Sequence, residues 1–154
     1  MKKIIVVVTI LLGSFFTEKI AAQISLNVNI GTQPVWGPVG YDHVDYYYIP
    51  DVDMFYNVPS HQYIYEEKGR WVFTKSVPAR YRHYDFNRGY KVVVNEPRPY
   101  NHAHEYKIKY AKYKGDHSQQ IIRNSHEEKY FINKNHPEHN KAKGKKNGKG
   151  HGRG

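Results

Sequence analysis

Short segments in which apolar and polar residues alternate dominate the first two thirds of the chain. Ile24, Leu26, Val28 and Ile30 are separated by single polar residues, which is the period of a strand with one buried face. The other strand-like runs are Tyr46–Ile49, Asp53–Val58, Gln62–Glu66, Arg70–Lys75 and Tyr90–Val94. The pattern predicts a small antiparallel sheet rich in aromatic residues.

The turn at residues 67–69 decides which aromatic side chains share a face of this sheet. A three-residue loop, with its glycine in the left-handed conformation, pairs Tyr65 with Trp71 and Tyr63 with Phe73. A two-residue loop would instead divide the four rings between the two faces. We prefer the three-residue loop and identify Tyr63, Tyr65, Trp71 and Phe73 as an aromatic face, which serves either as core or as a binding surface.

One helix is predicted after the strands, over Asn101–Lys114. Its apolar positions at helical spacing are Ala103, Tyr106, Tyr110 and Tyr113. Asn101 suits the N-cap and Gly115 suits the stop, although the alternation of apolar residues around Ile108 leaves a strand as the alternative. A further short element is expected at Gln120–Arg123 or at His126–Phe131.

Two irregular stretches connect the predicted elements. Gly31–Gly40 contains three glycines and two prolines and is predicted to be a loop. Its Trp36 is expected to fold back over the sheet rather than to remain an exposed stacking residue, because tryptophan is highly buried on average. Pro78–Asn87 is also expected to be irregular.

The chain begins with the three parts of a secretory signal. Two lysines precede an apolar run, Ile4–Phe16, and small residues before Gln23 suit peptidase cleavage. The apolar run is 13 residues long, whereas a helix that spans a bilayer needs about 20. We therefore predict that residues 1–22 are a cleaved signal peptide, that no transmembrane segment remains, and that the protein is periplasmic or extracellular.

The last 22 residues differ from the rest because their one aliphatic side chain is Ala142. Such a segment cannot offset the entropy of ordering, so residues 133–154 are predicted to be a disordered tail. Without residues 1–22 the net charge is +8, of which the tail carries +6. A basic tail favours salt-dependent binding of polyanions such as anionic polysaccharide or lipopolysaccharide, and a solubilising role is the alternative. The candidate contacts are Lys141, Lys143, Lys145, Lys146, Lys149 and Arg153.

Composition limits what residues 23–132 can form. They are enough for one small domain, and all 15 tyrosines and both tryptophans lie within them. The core must therefore be built largely from aromatic rings, whose hydroxyl groups need partners where they are buried. The chain has no cysteine, which excludes disulfides, thiol catalysis and cysteine metal sites. The predicted fold class is mainly β, with one short helix and a disordered basic tail.

The candidate chemical groups do not form a recognisable site. His102 and His104 would share a face only in a strand, and His136 and His139 fall in the predicted tail. Defined zinc sites hold their ligands on a fold, so only loose metal binding through histidine is kept as an alternative. The acidic residues are Asp42, Asp45, Asp51 and Asp53, of which Asp51 is interpreted as a turn residue. No catalytic or phosphate-binding motif is present, so we expect no cofactor and no enzymatic activity.

A motif in the middle of the chain resembles a family of small exported proteins of Gram-negative bacteria. Its elements are Tyr46-Tyr47-Tyr48-Ile49-Pro50-Asp51, Phe55-Tyr56, Tyr63-x-Tyr65, Gly69-x-Trp71 and Val77-Pro78. The resemblance covers roughly residues 33–100 and implies export and a small β-rich fold. It implies no activity, ligand or site.

Together these observations favour an exported, non-enzymatic protein that acts by binding or as a structural component of the envelope. Exposed tyrosine and tryptophan suit contacts with an envelope polysaccharide or an envelope protein. Export makes nucleic acid an unsuitable specific partner.

Overall fold

One antiparallel sheet forms the centre of the molecule in the computed structural model, which describes residues 28–141. The strands are β1 (Tyr46–Ile49), β2 (Met54–Asn57), β3 (Gln62–Glu67), β4 (Arg70–Thr74) and β5 (Val92–Val94). Their order is β4-β3-β2-β1-β5, so β4 and β5 are the edges. Helix α1 covers Ala103–Lys109. The mainly β fold with one short helix is confirmed.

The hairpin between β3 and β4 has a two-residue loop, and the register predicted from the sequence is wrong by one residue. Lys68 and Gly69 both have positive φ, of 52° and 74°, as in a type I′ turn, whose twist matches that of the flanking strands. Tyr65 therefore lies opposite Val72 rather than Trp71. The backbone preference of the tight turn outweighs the gain from placing four rings on one face.

Both faces of the sheet are covered. On the first face, Tyr48, Phe55, Ile64 and Val94 are buried against α1 and the segment before it. The residues that pack on them from this layer are Tyr100, Ala103, Tyr106 and Tyr110. Three of the four apolar positions predicted for the helix therefore face the sheet, as their spacing indicated. The fourth, Tyr113, stacks on Tyr90 instead.

The second face is covered by the loop that contains Trp36. The Trp36 ring lies 5.5 Å from the Tyr47 ring and 5.0 Å from the Tyr56 ring, measured between centroids. Val44 and Val58 complete this buried cluster. The prediction that Trp36 folds back over the sheet is confirmed, and the rings supply the apolar area that sparse aliphatic residues cannot.

Buried tyrosine hydroxyls find partners within the chain. The fully buried Tyr47 donates to Gln33 Oε1 at 3.0 Å, and the Gln33 amide in turn donates to the carbonyl of Tyr41 at 3.1 Å. Tyr48 donates to Asp53 at 2.9 Å. Satisfying these groups is necessary because an unpaired buried hydroxyl costs about 1–3 kcal/mol.

The N-terminal strand prediction fails in the part that the structure describes. Residues 24–27 lie outside the described range, and Ile30 begins a 3-10 helix, Ile30–Thr32, rather than ending a strand. The Asn29 side chain donates to the carbonyl of Val44 at 2.7 Å and accepts from its N–H at 2.9 Å. This side-chain bridge takes the place of a strand ladder, and Ile30 packs on Ile122 and Tyr130.

Helix α1 is shorter than predicted. It is preceded by a 3-10 turn at Pro99–His102 and followed by another at Ala111–Tyr113. Asn101 lies inside the first turn, so it is not the N-cap. Gly115 has a φ of 74°, which confirms it as the stop of the helical segment. None of the described helices has the length and apolar character to cross a membrane.

The remaining connections are mostly 3-10 turns. Pro78–Asn87 is irregular apart from the turn Ala79–Tyr81, as predicted. Both candidate elements of the segment after α1 exist, as the turns Ile122–Asn124 and Glu128–Ile132.

Strand β5 begins two residues later than predicted because Lys91 is part of a buried polar contact. Its side chain is 1% exposed, and Nζ donates to the carbonyls of Phe86 at 3.0 Å and Gly89 at 2.6 Å. Its backbone N–H and C=O both bond the side chain of Gln119. Burial lowers the pKa of Lys91 to about 8.

The folded body continues past the predicted start of the tail. Asn133 is buried and donates to the carbonyl of Gln33 at 2.5 Å. His136 is also buried, and its Nε2 lies 3.1 Å from the carbonyls of Ile122 and Ser125. Since Nδ1 of His136 accepts from the N–H of Glu138, the ring is held as the Nε2–H tautomer. The prediction of disorder is wrong for residues 133–141, and residues 142–154 lie outside the described range.

A truncation series separates these two parts of the C-terminal region. A chain ending at Lys141 is expected to melt within about 2 °C of the full chain, whereas one ending at Phe131 is expected to lose about 2–4 kcal/mol and melt roughly 10–20 °C lower. The loss arises because the partners of the Gln33, Ile122 and Ser125 carbonyls are removed. Equal melting temperatures for both truncations, measured by circular dichroism, would show that Asn133 and His136 contribute nothing.

Candidate functional site

The four aromatic residues predicted to share a face lie on opposite sides of the sheet. Tyr63 and Tyr65 belong to the side covered by Trp36, while Trp71 and Phe73 belong to the side covered by α1. The prediction of a single aromatic face is therefore wrong, for the same reason as the register. Tyr65 is core, at 8% exposed, whereas Phe73 is 47% exposed.

On the α1 side, aromatic rings lead from the core to the surface. The Trp71 ring lies 6.4 Å from that of Phe55 and 5.6 Å from that of Tyr100, between centroids. Tyr100 contacts Phe73 edge-on at 5.4 Å. Trp71 therefore connects the buried cluster to an aromatic patch on the surface, which consists of Trp71, Phe73 and Tyr100.

A cleft of about 370 Å³ lies beside Trp71, between the sheet and the start of α1. Trp71 and Tyr81 supply aromatic walls, and Val52 and Ala103 add apolar contacts. Its polar lining consists of Tyr48, Asp53, Glu66, Arg80, His104 and Lys107. Apolar walls with a few polar groups are typical of small-ligand sites, and the volume is within their usual range.

Asp53 is the common partner of the polar side chains on one side of the cleft. Besides the bond from Tyr48, Lys107 Nζ lies 3.1 Å from Oδ2 and Lys114 Nζ lies 3.3 Å from Oδ1. Burial raises the pKa of Asp53, but the bonds from Lys107, Tyr48 and Lys114 together outweigh it and hold the pKa below its ordinary value. Asp53 is therefore an anion at neutral pH, and neighbouring cations neutralise it.

Arg80 is fixed at the opposite wall by stacking. Its guanidinium carbon lies 4.6 Å from the ring centroids of both Tyr65 and Tyr81, and Nη2 donates to the carbonyl of Glu66 at 2.8 Å. Cation–π contacts of this kind hold a planar cation at a set orientation. Arg80 thus presents its remaining N–H groups in a defined direction.

The charges of the cleft balance. Asp53 and Glu66 are offset by Arg80 and Lys107, and among the described residues the carboxylate of Glu66 makes no ion pair. His104 is exposed and also free of ion pairs within that part of the chain. The lining residues therefore offer donors, acceptors and an aromatic wall with equal numbers of positive and negative groups, which suits an uncharged polar ligand better than an ion. Lys114 lies outside the lining and pairs with Asp53.

A larger depression of about 810 Å³ runs along the segment before the C-terminal turns. Its lining includes Val39, Arg88, His117 and Ile121 but no tryptophan, tyrosine or phenylalanine. It therefore lacks a large aromatic face on which a ligand can stack, so the cleft beside Trp71 is the stronger candidate.

The histidines and aspartates considered from the sequence are dispersed. His102 lies 3.3 Å from Glu105 on the surface, and His136 is a buried structural residue. Asp51 accepts from the Tyr84 hydroxyl at 2.8 Å and from the N–H of Gly115 at 2.7 Å, so it joins distant segments and is more than a local turn residue. Within residues 28–141, no three His, Asp or Glu side chains form a group that could hold a metal.

The structure describes one of the six candidate polyanion contacts. Lys141 is exposed, and its Nζ lies 2.7 Å from Glu138 Oε1. Lys143, Lys145, Lys146, Lys149 and Arg153 lie outside the described residues, so polyanion binding by this segment stays a prediction.

Sequence reasoning identified Trp71 but missed the residues that complete its cleft. Asp53 and Lys107 lie on different elements, and Arg80 lies in a stretch assigned only as irregular. The positive φ of Asp53, 47°, is tolerated by aspartate, and the Pro50-Asp51 turn signal gave the one hint of a special geometry there.

No family model, curated protein or solved structure matches this chain. The resemblance to a family of exported proteins therefore stays a prediction.

Proposed function

We propose that this chain is an exported, non-enzymatic protein that binds an uncharged stretch of saccharide in the cleft beside Trp71. The observation that carries the proposal is the combination of a half-buried indole ring with charge-balanced donors and acceptors around 370 Å³ of space. Export is supported by the signal-like residues 1–22, and envelope polysaccharide is the source of ligand that this location offers.

The chemistry of the lining favours a sugar. A sugar ring presents apolar C–H faces that pack on an aromatic wall and hydroxyl groups that both donate and accept. Trp71 supplies the wall, Arg80 and Lys107 supply donors, and Glu66 supplies an acceptor. Hydroxyl groups match this mixed lining, because each can pair with either kind of partner.

The same geometry favours binding over catalysis. A general acid needs a carboxyl group whose pKa is raised toward the working pH, whereas the three donors to Asp53 hold its pKa below its ordinary value. Asp53 is therefore held as an anion and is not prepared to donate a proton.

Replacing Trp71 by alanine tests the site. Titration with neutral oligosaccharides of glucose and of N-acetylglucosamine, followed by calorimetry, is expected to give saturable binding to the intact protein, and Trp71→Ala is expected to weaken it about tenfold or more. Phe73→Ala is the matched control, because Phe73 belongs to the same aromatic patch but does not line the cleft.

Three results would contradict the proposal. One is the absence of binding to every neutral saccharide at millimolar concentration. Another is equal weakening by both substitutions, which would move the site to the exposed patch. The third is unfolding of Trp71→Ala together with unchanged binding by a folded Arg80→Ala variant, which removes a donor of the cleft.

A further inference from the structure

Strand β4 carries backbone groups that no other strand within residues 28–141 pairs. In a two-residue hairpin the residues that flank the loop exchange hydrogen bonds, and bonded pairs alternate along the ladder. Arg70, Val72 and Thr74 therefore direct their N–H and C=O groups to β3. Trp71 and Phe73 direct theirs outward, and no loop or side chain in the part of the chain that the structure describes bonds to them.

The chain on either side of β4 leaves this edge open. The segment that follows turns to the opposite side of β3, where Arg80 bonds the carbonyl of Glu66 and Tyr81 packs edge-on against Tyr65. Tyr100 lies over the face of the sheet, against the Trp71 and Phe73 rings. Neither segment runs alongside the strand, so in the described part of the chain the outward groups have no hydrogen-bond partner.

Cations mark both ends of the open edge. Lys68 and Arg70 lie at one end and Lys75 at the other, about 17 Å apart for five strand residues. All three side chains are exposed, and none forms an ion pair within the described residues. Glu67 lies opposite Arg70 on β3, on the side away from the open edge. The open side of the strand therefore presents positive charge, which attracts a partner of opposite charge.

The same charges disfavour pairing between two copies of the protein. An antiparallel pair of β4 strands centred on Val72 would place Lys75 of each copy beside the Lys68-Gly69-Arg70 end of the other. Like charges on neighbouring strands are destabilising. Positive residues at strand edges are a recognised protection against self-association. A second copy of the chain is therefore a poor partner for this edge, whereas an acidic segment is a suitable one.

We propose that β4 is a docking edge for an extended peptide segment with acidic residues at both ends. The peptide would add a sixth strand to the sheet through the outward groups of Trp71 and Phe73. Acidic residues at positions i and i+5 face Arg70 and Lys75, and aromatic or β-branched residues between them pack on Trp71 and Phe73. This inference concerns an envelope protein as partner and rests on the proposed export. It shares Trp71 with the saccharide cleft but does not require that the cleft bind a saccharide.

The test is to reverse the charges on the peptide and on β4 in turn and to compare the binding affinities. The probe is the capped peptide Glu-Val-Tyr-Val-Tyr-Glu, and its matched control has lysine in place of both glutamates. The wild-type protein is expected to bind the acidic peptide about tenfold more tightly, and the double variant Arg70→Glu, Lys75→Glu is expected to reverse this preference, since two cross-strand pairs change from attractive to repulsive.

Amide chemical shifts locate the bound peptide, and they are expected to change most for Trp71 and Phe73. Equal affinity for the two peptides, an unchanged preference in the folded double variant, or shifts confined to other residues would each overturn the proposal. A dimer of the wild-type chain that forms through β4 would overturn it as well. Neither Arg70 nor Lys75 lines the saccharide cleft, so saccharide binding by the double variant reports on the other site separately.

Discussion

Replacing Gly89 by alanine is expected to destabilise the protein by about 2–4 kcal/mol, which is a large effect for one methyl group. A Cβ at this position would overlap the hydroxyl group of Tyr84 and lie 2.9 Å from Asp51 Oδ2. The carbonyl of Gly89 also accepts from Lys91 Nζ, so the backbone cannot move away without breaking a second buried contact. Thermal unfolding should show a melting temperature about 10–20 °C lower.

Gly69→Ala is the matched control for this substitution. Gly69 has a φ of 74° and nothing within 4 Å of a new Cβ, so its replacement isolates the conformational penalty of about 1 kcal/mol. Combining Gly89→Ala with Tyr84→Phe should recover part of the loss, because the hydroxyl group that clashes is gone. A Gly89→Ala variant as stable as the wild type, or a double variant with strictly additive losses, would contradict this account.

The expected size of this effect reflects the position of Asp51 and Asp53 in the fold. The turn between β1 and β2 carries both residues, and through them it binds Tyr84, Gly115, Tyr48 and two lysines of the helical segment. Two distant parts of the chain, one at Tyr84 and the other at Lys107–Gly115, therefore meet at one short turn. Stability and the shape of the cleft depend on the same two carboxylates, so a substitution that displaces Asp51 should also disturb the cleft.

The sequence predicts the elements of this fold better than their register. Alternation located four of the five strands closely and period 3.6 located the helical face, because those patterns report which side of an element is buried. The hairpin between β3 and β4 was misjudged because two energies oppose each other there. Four rings on one face favour one register, and the twist of a two-residue turn favours the other.

Long-range polar contacts were beyond sequence reasoning. Lys91 directly precedes the three valines of β5, and nothing local indicates that its ammonium group is buried against two carbonyls. Asn133 and His136 lie in a composition typical of disorder, yet each has a buried partner more than ten residues away in the chain. The cleft could not be predicted for the same reason, because Trp71, Arg80 and Lys107 are far apart in the sequence and come together only in the fold.

Raising the pH above about 10 is expected to unfold the protein cooperatively. Burial raises the pKa of Tyr47, Tyr48 and Tyr56 above the ordinary value of 10.0, that of Tyr56 to about 12. Above pH 10 the unfolded chain therefore loses protons that the folded chain keeps, and stability falls as pH rises. Three such groups together remove about 4 kcal/mol per pH unit, so a domain of ordinary stability should unfold within roughly two to three units.

Lys91 has the opposite effect on stability at lower pH, from about 8 upward. Because its pKa in the folded protein is lowered to about 8 from 10.5, the unfolded chain binds more protons between these values, and stability rises with pH until the tyrosines dominate. Circular dichroism and tyrosinate absorbance, followed together, should show a stability maximum near pH 9–10 and then simultaneous unfolding and ionisation. Lys91→Met should remove the rise in stability below the maximum and keep the loss of stability above it. Gradual ionisation of all tyrosines in a protein that stays folded at pH 12 would instead mean that these hydroxyl groups are open to water, and that the aromatic core assigned to both faces of the sheet is not closed.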